Sequence, residues 1–164
     1  MEVFEAINRR TSVRRFTDQA VDEESIRRLI DAGRRAPSGR NVQPIEFVVI
    51  TDPDRRRHLA SITEYGKFLA QAPVCIVIVS ADTKYYLEDG CAAAENILLA
   101  AAGLGLGSCW VAGDKKPYAE EILRWLQAPD GFKLVAMLAI GHAASPMVPR
   151  EKRALDKILH WQTY

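Results

Sequence analysis

The stretch from Tyr86 to Ala102 constrains the fold more than any other, because it is rich in alanine and apolar nearly all round. Alanine favours the helix, and a helix without a wide polar face has to be covered on all sides by other elements. The run from Val74 to Val79 is apolar at every position and predicts a strand buried on both faces. Both features need a substantial core, which 164 residues with 48% hydrophobic content can build as one domain spanning 1–164.

The remaining sequence predicts further helices and strands around this centre. Helical spacing marks a first short helix at Val3, Phe4 and Ile7, and Asp22 is a suitable N-cap for a second helix that ends before Pro37. Further helices are predicted over 53–59, 65–70 and 117–126, and further strands over 45–50, 108–111 and 133–140. No repeat or low-complexity tract interrupts this succession.

The charge balance excludes some kinds of partner. The 22 basic and 21 acidic residues are interleaved and give a formal net charge of +1, so we expect no face positive enough to bind nucleic acid. The chain has a charge at Glu2 and no long apolar run, so we expect neither a signal peptide nor a membrane span. These features favour a cytoplasmic location.

Cysteine and histidine usage predicts no metal site. Cys75, Cys91 and Cys109 are odd in number, widely spaced and surrounded by apolar residues, which is typical of buried, reduced thiols. They form no CxxC pair for zinc, and the three histidines are scattered without an i, i+4 pair.

The segment 9–16, called the arginine segment below, has the composition of an anion-binding site. It contains four arginines and the hydroxyls of Thr11 and Ser12, and it contains no acid. Arginine presents a rigid fork of donors that matches phosphate, and the hydroxyls add short donors. For seven other arginines we expect a simpler role as charges on helix surfaces: Arg27, Arg28, Arg34, Arg35, Arg55, Arg56 and Arg57.

Two other polar segments lie in predicted loops. The segment 36–44, called the proline loop, has turn-forming residues at almost every position and includes the amides of Asn41 and Gln43. The segment 146–164, called the tail, is basic at Arg150, Lys152 and Arg153. The tail also ends in large apolar side chains, which predicts that it packs either on its own domain or on a second subunit.

The three segments together favour a nucleotide-like ligand, since arginines suit a phosphate and side-chain amides pair with a polar heterocycle. An alternative remains open, in which Arg10 and Arg14 form surface ion pairs while Asn41 and Gln43 satisfy turns. The glycine-rich run 103–107 is not a dinucleotide fingerprint, because it follows a helix and precedes a strand.

A third hypothesis is a hydrolase that uses Cys109 as nucleophile and His142 as base. Both residues lie at predicted strand ends, but both stand amid apolar residues and no orienting acid is nearby in the sequence. This hypothesis is therefore disfavoured.

Four blocks of the sequence, taken in order, resemble the flavin-dependent nitroreductase family. The first is an Arg-x-Ser-x-Arg/Lys segment after a short helix, present here as Arg10, Ser12 and Arg14. The second is a Pro-Ser-x-x-Asn-x-Gln-Pro loop before a strand, present here as Pro37, Ser38, Asn41, Gln43 and Pro44. The third is the alanine-rich helix ending in Gly-Leu-Gly with the Ser108-Cys109-Trp110 strand, and the fourth is the Ile140-Gly141 strand with its basic tail. The resemblance covers nearly the whole chain.

The resemblance implies an α+β, nitroreductase-like fold: a central mixed, mainly antiparallel sheet of four to five strands flanked by helices, with the tail exchanged between the subunits of a homodimer. It also implies FMN at the subunit interface, NAD(P)H as electron donor and a small-molecule acceptor. The residues that the resemblance places at the cofactor are Arg10, Thr11, Ser12, Arg14, Pro37, Ser38, Gly39, Asn41, Gln43, Lys67, Trp110, Val111, Ala112, Gly113, Arg150, Lys152 and Arg153.

Each group of these residues has an implied role. Arg10, Ser12, Arg150 and Lys152 would bind the FMN phosphate, with Arg153 as a substitute. Arg14 and Lys67 would lie by the pyrimidine end of the flavin, where a cation stabilises the negative charge that reduction adds. The proline loop would come from the other subunit. Residues 110–113 would run along the isoalloxazine, with the N–H of Ala112 or Gly113 facing N5.

The resemblance implies a ping-pong oxidoreductase in which no side chain acts as catalytic acid, base or nucleophile. The acceptor is left open among nitroaromatics, quinones and other small oxidised molecules. The alternative to an enzyme is a non-catalytic dimer that binds flavin or another nucleotide. One position departs from the family pattern, since Glu64 stands where several relatives have Asn.

Overall fold

The computed structural model describes residues 2–164, which form an α+β fold with a four-stranded antiparallel sheet. The helices are α1 (Val3–Arg9), α2 (Glu23–Arg34), α3 (Pro53–Ile62), α4 (Tyr86–Gly103) and α5 (Ala119–Leu126). The strands are β1 (Ile45–Ile50), β2 (Val74–Ala81), β3 (Gly107–Ala112) and β4 (Phe132–Gly141). Short 3₁₀ turns lie at Gly39–Asn41, Lys67–Ala70 and Leu155–Lys157. The predicted fold class is confirmed.

The sheet has the order β1-β2-β4-β3, so the two most apolar strands lie at its centre. All neighbouring strands are antiparallel, and Val77 of β2 lies opposite Met137 of β4. The parallel component of the predicted mixed sheet is an isolated bridge between Ser12 and Ser108. Strands β1 and β3 are the two edges.

Helices cover both faces of the sheet, as the fully buried strand β2 requires. Residues Cys75, Val77 and Val79 pack in a core with α3 and α5, whereas Ile76 and Ile78 pack in a second core with α2 and α4. This division follows from the alternation of side chains along a strand.

Small residues let α4 approach the sheet closely. A methyl group at Gly90 would come within 2.7 Å of both Val135 methyl carbons, and one at Gly33 of α2 would come within 2.9 Å of Ile97. The alanine-rich composition of α4 therefore reflects close packing against both the sheet and α2.

Helix α2 begins where the sequence predicts. Asp22 accepts hydrogen bonds from the backbone N–H of Ser25 at 2.8 Å and from its hydroxyl at 2.7 Å. The bond from the Ser25 backbone is the main cause that lowers the pKa of the Asp22 carboxyl. Helix α5 begins at Ala119, two residues after the predicted start at Pro117.

The expectation that Arg56 is a surface charge is wrong, because its side chain is buried. Its guanidinium donates to the carbonyls of Ala70, at 3.1 Å, and Ala72. Ala70 is the last residue of the 3₁₀ turn that contains Lys67 and Ala72 follows it closely, so the arginine ties that turn to α3. Cys91 also differs from expectation, since it is only half-buried, while Cys75 and Cys109 are buried.

The tail leaves the domain after Met147, which packs on the first core, and every described residue from 148 to 164 is exposed. The large apolar residues of the tail are exposed as well, and Trp161 is 78% exposed. Of the two predicted locations for the tail, packing on its own core is therefore wrong. Within residues 2–164, no helix is both long and apolar enough to cross a membrane.

Candidate functional site

The arginine segment is fixed to the sheet at the start of β3. The N–H of Val13 donates to the carbonyl of Ser108 at 2.8 Å, and the Val13 side chain is buried against Gly107. Side chains alternate along an extended segment, so the inward position of Val13 leaves Ser12 and Arg14 exposed on either side. The segment therefore presents polar groups beside an edge strand.

Four residues of the arginine segment meet the beginning of the tail. A pocket of about 230 Å³, called the arginine pocket, is lined by Arg10, Thr11, Ser12, Arg14, Arg150 and Lys152. It contains four cations and two hydroxyls. Arg10 forms an ion pair with Glu95 of α4, whose Oε1 lies 3.6 Å from the Nε of Arg10. This donor set suits a phosphate.

A larger cleft of about 660 Å³ continues from the arginine pocket. Its walls are residues 11–15 on one side and residues 145–151 on the other. The cleft therefore has room for more of a ligand than its phosphate alone.

Arg153 lies outside the arginine pocket. Its guanidinium donates to the carbonyl of Lys157 at 3.1 Å, within the tail itself. Of the three basic tail residues in the sequence prediction, Arg150 and Lys152 are the two that the structure brings to the arginine segment.

Arg14 also approaches the 3₁₀ turn at Lys67–Ala70. Its Cζ lies 5.8 Å from the centre of the Phe68 ring. The neighbouring Lys67 donates from Nζ to the carbonyl of Ser61 at 3.1 Å and remains exposed. The structure thus brings the two predicted ring-side cations to one region, although Lys67 does not line the arginine pocket.

The edge strand β3 carries the remaining ring-side positions. Trp110 is half-buried, Val111 is buried and Ala112 is exposed. The Gly113 N–H donates to the carbonyl of Val135 at 3.1 Å, so it is directed at β4. Hydrogen-bonding direction alternates along an antiparallel edge strand, which turns the N–H of Ala112 toward the open edge.

The carbonyls of β3 support this alternation. Ser108 accepts from Val13, and Ala112 accepts from the hydroxyl of Tyr118 at 2.5 Å, both from outside the sheet. Of the two amides in the sequence prediction, the Gly113 N–H is bonded within the sheet, and the Ala112 N–H is the one that faces outward.

Cys109 lies behind the arginine segment rather than in an open site. Burial raises the pKa of its thiol, and the nearby Arg14, Ser12 and Arg10 offset part of that rise. The thiol's hydrogen-bond partner is the carbonyl of Trp110, at 3.9 Å, and not His142. A buried, protonated thiol is a poor nucleophile, so the structure gives no support to the hydrolase hypothesis.

The proline loop lies apart from the arginine pocket in the same chain. The loop packs on the first turn of α4, where the Gly39 N–H donates to Asp89 Oδ1 at 2.9 Å. Pro37, Ser38 and Gln43 line a separate cavity of about 120 Å³, and Asn41 is exposed. One chain therefore does not bring all the predicted cofactor residues together.

A family model described as "Putative TM nitroreductase" matches residues 2–164. The chain belongs to the nitroreductase family. Similar proteins match most of the length of this chain and support this assignment. A "Putative NADH dehydrogenase/NAD(P)H nitroreductase" of Archaeoglobus fulgidus is 32% identical over 149 residues, which cover 86% of this chain and 85% of the relative.

Solved structures of other nitroreductases have the same fold. An FMN-dependent nitroreductase of Clostridium difficile is 28% identical with a TM-score of 0.92, covering 98% of this chain and 99% of that one. A structure titled as a putative nitroreductase in complex with FMN, from Desulfovibrio desulfuricans, is 34% identical with a TM-score of 0.88. The match covers 100% of this chain and 98% of that chain.

Three polar residues of this nitroreductase site were missed by the sequence reasoning. Asp89 holds the proline loop, Glu95 pairs with Arg10, and Tyr118 bonds the β3 edge. Asp89 could have been noticed as an acid at helical spacing from the buried Ala93 in an alanine-rich helix. The sequence contains no comparable signal for Tyr118, because its partner is a backbone carbonyl.

Proposed function

We propose that this chain is an FMN-dependent NAD(P)H oxidoreductase that passes electrons to a small oxidised acceptor. One observation carries the proposal: the arginine segment and the tail supply four cations to a single pocket beside an edge strand. Family membership makes FMN the ligand to test, since its phosphate suits these donors. When bound, FMN accepts a hydride from NAD(P)H and gives electrons to the acceptor.

The donors of the arginine pocket fit a phosphate in both charge and reach. Arg10 and Arg150 provide guanidinium forks, Lys152 provides an ammonium group, and Ser12 provides a hydroxyl. We assign these four residues to the phosphate. Thr11 lies in the same wall and completes the set.

The ring-side residues have a different task, which is to stabilise negative charge and to position the reacting atoms. Arg14 lines the cleft and lies over Phe68, and Lys67 is a second cation beside Phe68 in the chain. The Ala112 N–H, turned to the open edge, is assigned to the flavin N5. Trp110 and Val111 would hold the ring against β3, and no side chain is needed as acid or base.

We propose that the enzyme is a homodimer with residues of both chains at each flavin. The proline loop, which lies apart from its own arginine pocket, would reach the partner's flavin through Pro37, Ser38, Gly39, Asn41 and Gln43. Large exposed apolar side chains on α1 and on the tail support the dimer, including Phe4 at 75% and Trp161 at 78% exposure. We place the dimer in the cytoplasm, where thiols stay reduced and NAD(P)H is available.

The proposal is tested by adding FMN to the purified protein and measuring its mass in solution, then adding NADH or NADPH. A dimer that binds FMN and loses flavin absorbance with either donor supports the proposal. Protein that ignores FMN contradicts it. Tight FMN binding without reduction by either donor would instead select the non-catalytic binding dimer.

A further inference from the structure

The proline loop has a conformation that its sequence alone does not favour. Arg40, Asn41 and Gln43 have φ values of 57°, 56° and 54°, which is the left-handed region that favours glycine. Three such residues within four positions make the loop costly to form without outside support. The fold must therefore hold the loop from neighbouring elements.

Two side-chain oxygens accept hydrogen bonds from amides of the loop, one from inside the loop and one from outside it. Inside the loop, the hydroxyl of Ser38 accepts a hydrogen bond from the Gln43 N–H at 2.9 Å. Outside it, Asp89 of α4 accepts a hydrogen bond from the Gly39 N–H at 2.9 Å. This second bond connects residues 50 positions apart and fixes the loop to the core.

Asp89 is an unusual residue for its location. Its side chain is only 7% exposed in a helix that is otherwise mostly apolar on its buried side. A buried carboxylate is costly unless it accepts hydrogen bonds, and the first turn of a helix is the most favourable place for one. From outside the helix, the Asp89 carboxylate accepts a hydrogen bond from the Gly39 N–H.

The neighbouring Tyr85 lies close to residue 39. A methyl group at position 39 would come within 2.6 Å of Cδ2 of Tyr85. The loop backbone therefore lies directly on the first turn of α4, between the Tyr85 ring and the Asp89 carboxylate.

We infer that Asp89 is a positioning residue that holds the proline loop in the conformation needed to contact the partner's FMN. This inference rests on the proposed function, because it takes FMN as the ligand of the loop. Asp89 itself does not touch the cofactor. Its effect passes through the Gly39 amide, and its loss would free the loop without removing any flavin contact.

The test compares Asp89→Ala, Asp89→Asn and Glu88→Ala in the full-length protein. Asp89→Ala should weaken FMN binding about tenfold or more, since a hydrogen bond to a charged group is lost and the Gly39 N–H is left unpaired. Asp89→Asn keeps an acceptor oxygen and should stay within about threefold of the wild type. Glu88→Ala removes an exposed acid from the same turn and should change nothing.

Hydrogen exchange of the flavin-free protein gives a second readout. The Gly39 amide should be protected in the wild type and in Asp89→Asn, and should exchange rapidly in Asp89→Ala. If Asp89→Ala does not fold, Asp89→Ser provides the same test, since its shorter side chain keeps a polar group but cannot reach the Gly39 N–H.

The possible failures are distinguishable. Loss of protection with unchanged FMN affinity in Asp89→Ala would overturn the inference and leave the proposed function intact. An unprotected Gly39 amide in the wild type would overturn it as well. Failure of the wild type to bind FMN would contradict the proposed function. The exchange data would still test whether Asp89 holds the proline loop in place.

Discussion

The guanidinium of Arg14 lies over the ring of Phe68, with 5.8 Å between Cζ and the ring centre. This contact joins the arginine segment to the turn that carries Lys67. The neighbouring Arg9 behaves differently, since it pairs with Glu5 at 3.3 Å on the exposed side of α1. Arginines of one short segment therefore face separate environments, and their substitution should have separate effects.

Arg14→Ala should slow reduction of bound flavin by NADH or NADPH about tenfold or more, because a cation that offsets developing negative charge is lost. Arg9→Ala is the matched control and should keep the wild-type rate, since its partner is the exposed Glu5. The rates come from the loss of flavin absorbance after rapid mixing without oxygen. Equal slowing in both variants would show that Arg14 and Arg9 do not have separate roles.

Arg10→Ala and Lys152→Ala should weaken FMN binding by about 1.5–3 kcal/mol each, the usual range for hydrogen bonds to charged groups. Riboflavin lacks the phosphate, so its affinity should hardly change. Arg153→Ala should affect neither ligand, because Arg153 donates within the tail. Fluorescence titrations with both ligands measure this difference, and an equal loss for riboflavin would argue against a phosphate in the arginine pocket.

Gly90→Ala should destabilise the fold by about 1–3 kcal/mol, since the added methyl group overlaps the side chain of Val135. Gly103→Ala, at the other end of α4, meets no atom within 4 Å and should stabilise the fold by about 0.5–1 kcal/mol. Urea unfolding gives both values. A stable Gly90→Ala variant would mean that α4 lies farther from the sheet than described.

Tyr86 should make the fold sensitive to alkaline pH. Its hydroxyl donates to Asp114 Oδ1 at 2.6 Å, and this bond, followed by burial, raises its pKa from 10.0 to about 12. Between these values the unfolded chain releases the proton while the folded chain keeps it, so stability falls as pH rises. Below pH 10 the contribution is fully present.

Tyr86→Phe should therefore be less stable than the wild type at neutral pH and should lose less stability between about pH 10 and about pH 12. Asp114→Asn removes the charged acceptor and should make the decline above pH 10 smaller, because the pKa of folded Tyr86 is then raised less. Urea midpoints across this range measure the effect. Parallel curves for wild type and Tyr86→Phe would contradict the role of this bond.

Local patterns predicted the helices and strands well, because they depend on neighbours in sequence. The N-cap at Asp22 and the doubly buried strand β2 are examples. Patterns failed where the partner is distant. Arg56 was expected on the surface, but its acceptors are the carbonyls of Ala70 and Ala72, at sequence separations of 14 and 16.

The candidate site was predictable to a different degree in each of its parts. The resemblance named both halves of the arginine pocket, yet only the fold shows that Arg150 and Lys152 meet the arginine segment while Arg153 does not. The choice between the amides of Ala112 and Gly113 depended on strand register, which composition does not encode. Asp89 stood out only as an acid in an alanine-rich helix, and its contact with Gly39, 50 positions away, depends on the fold.

The most direct test of the central claim is the visible absorption spectrum of the FMN-loaded protein, recorded without oxygen before and after addition of NADH and of NADPH. We predict that at least one donor removes the flavin absorbance and that a quinone or nitroaromatic acceptor restores it. A flavin spectrum unchanged by both donors would contradict the assignment as an NAD(P)H oxidoreductase.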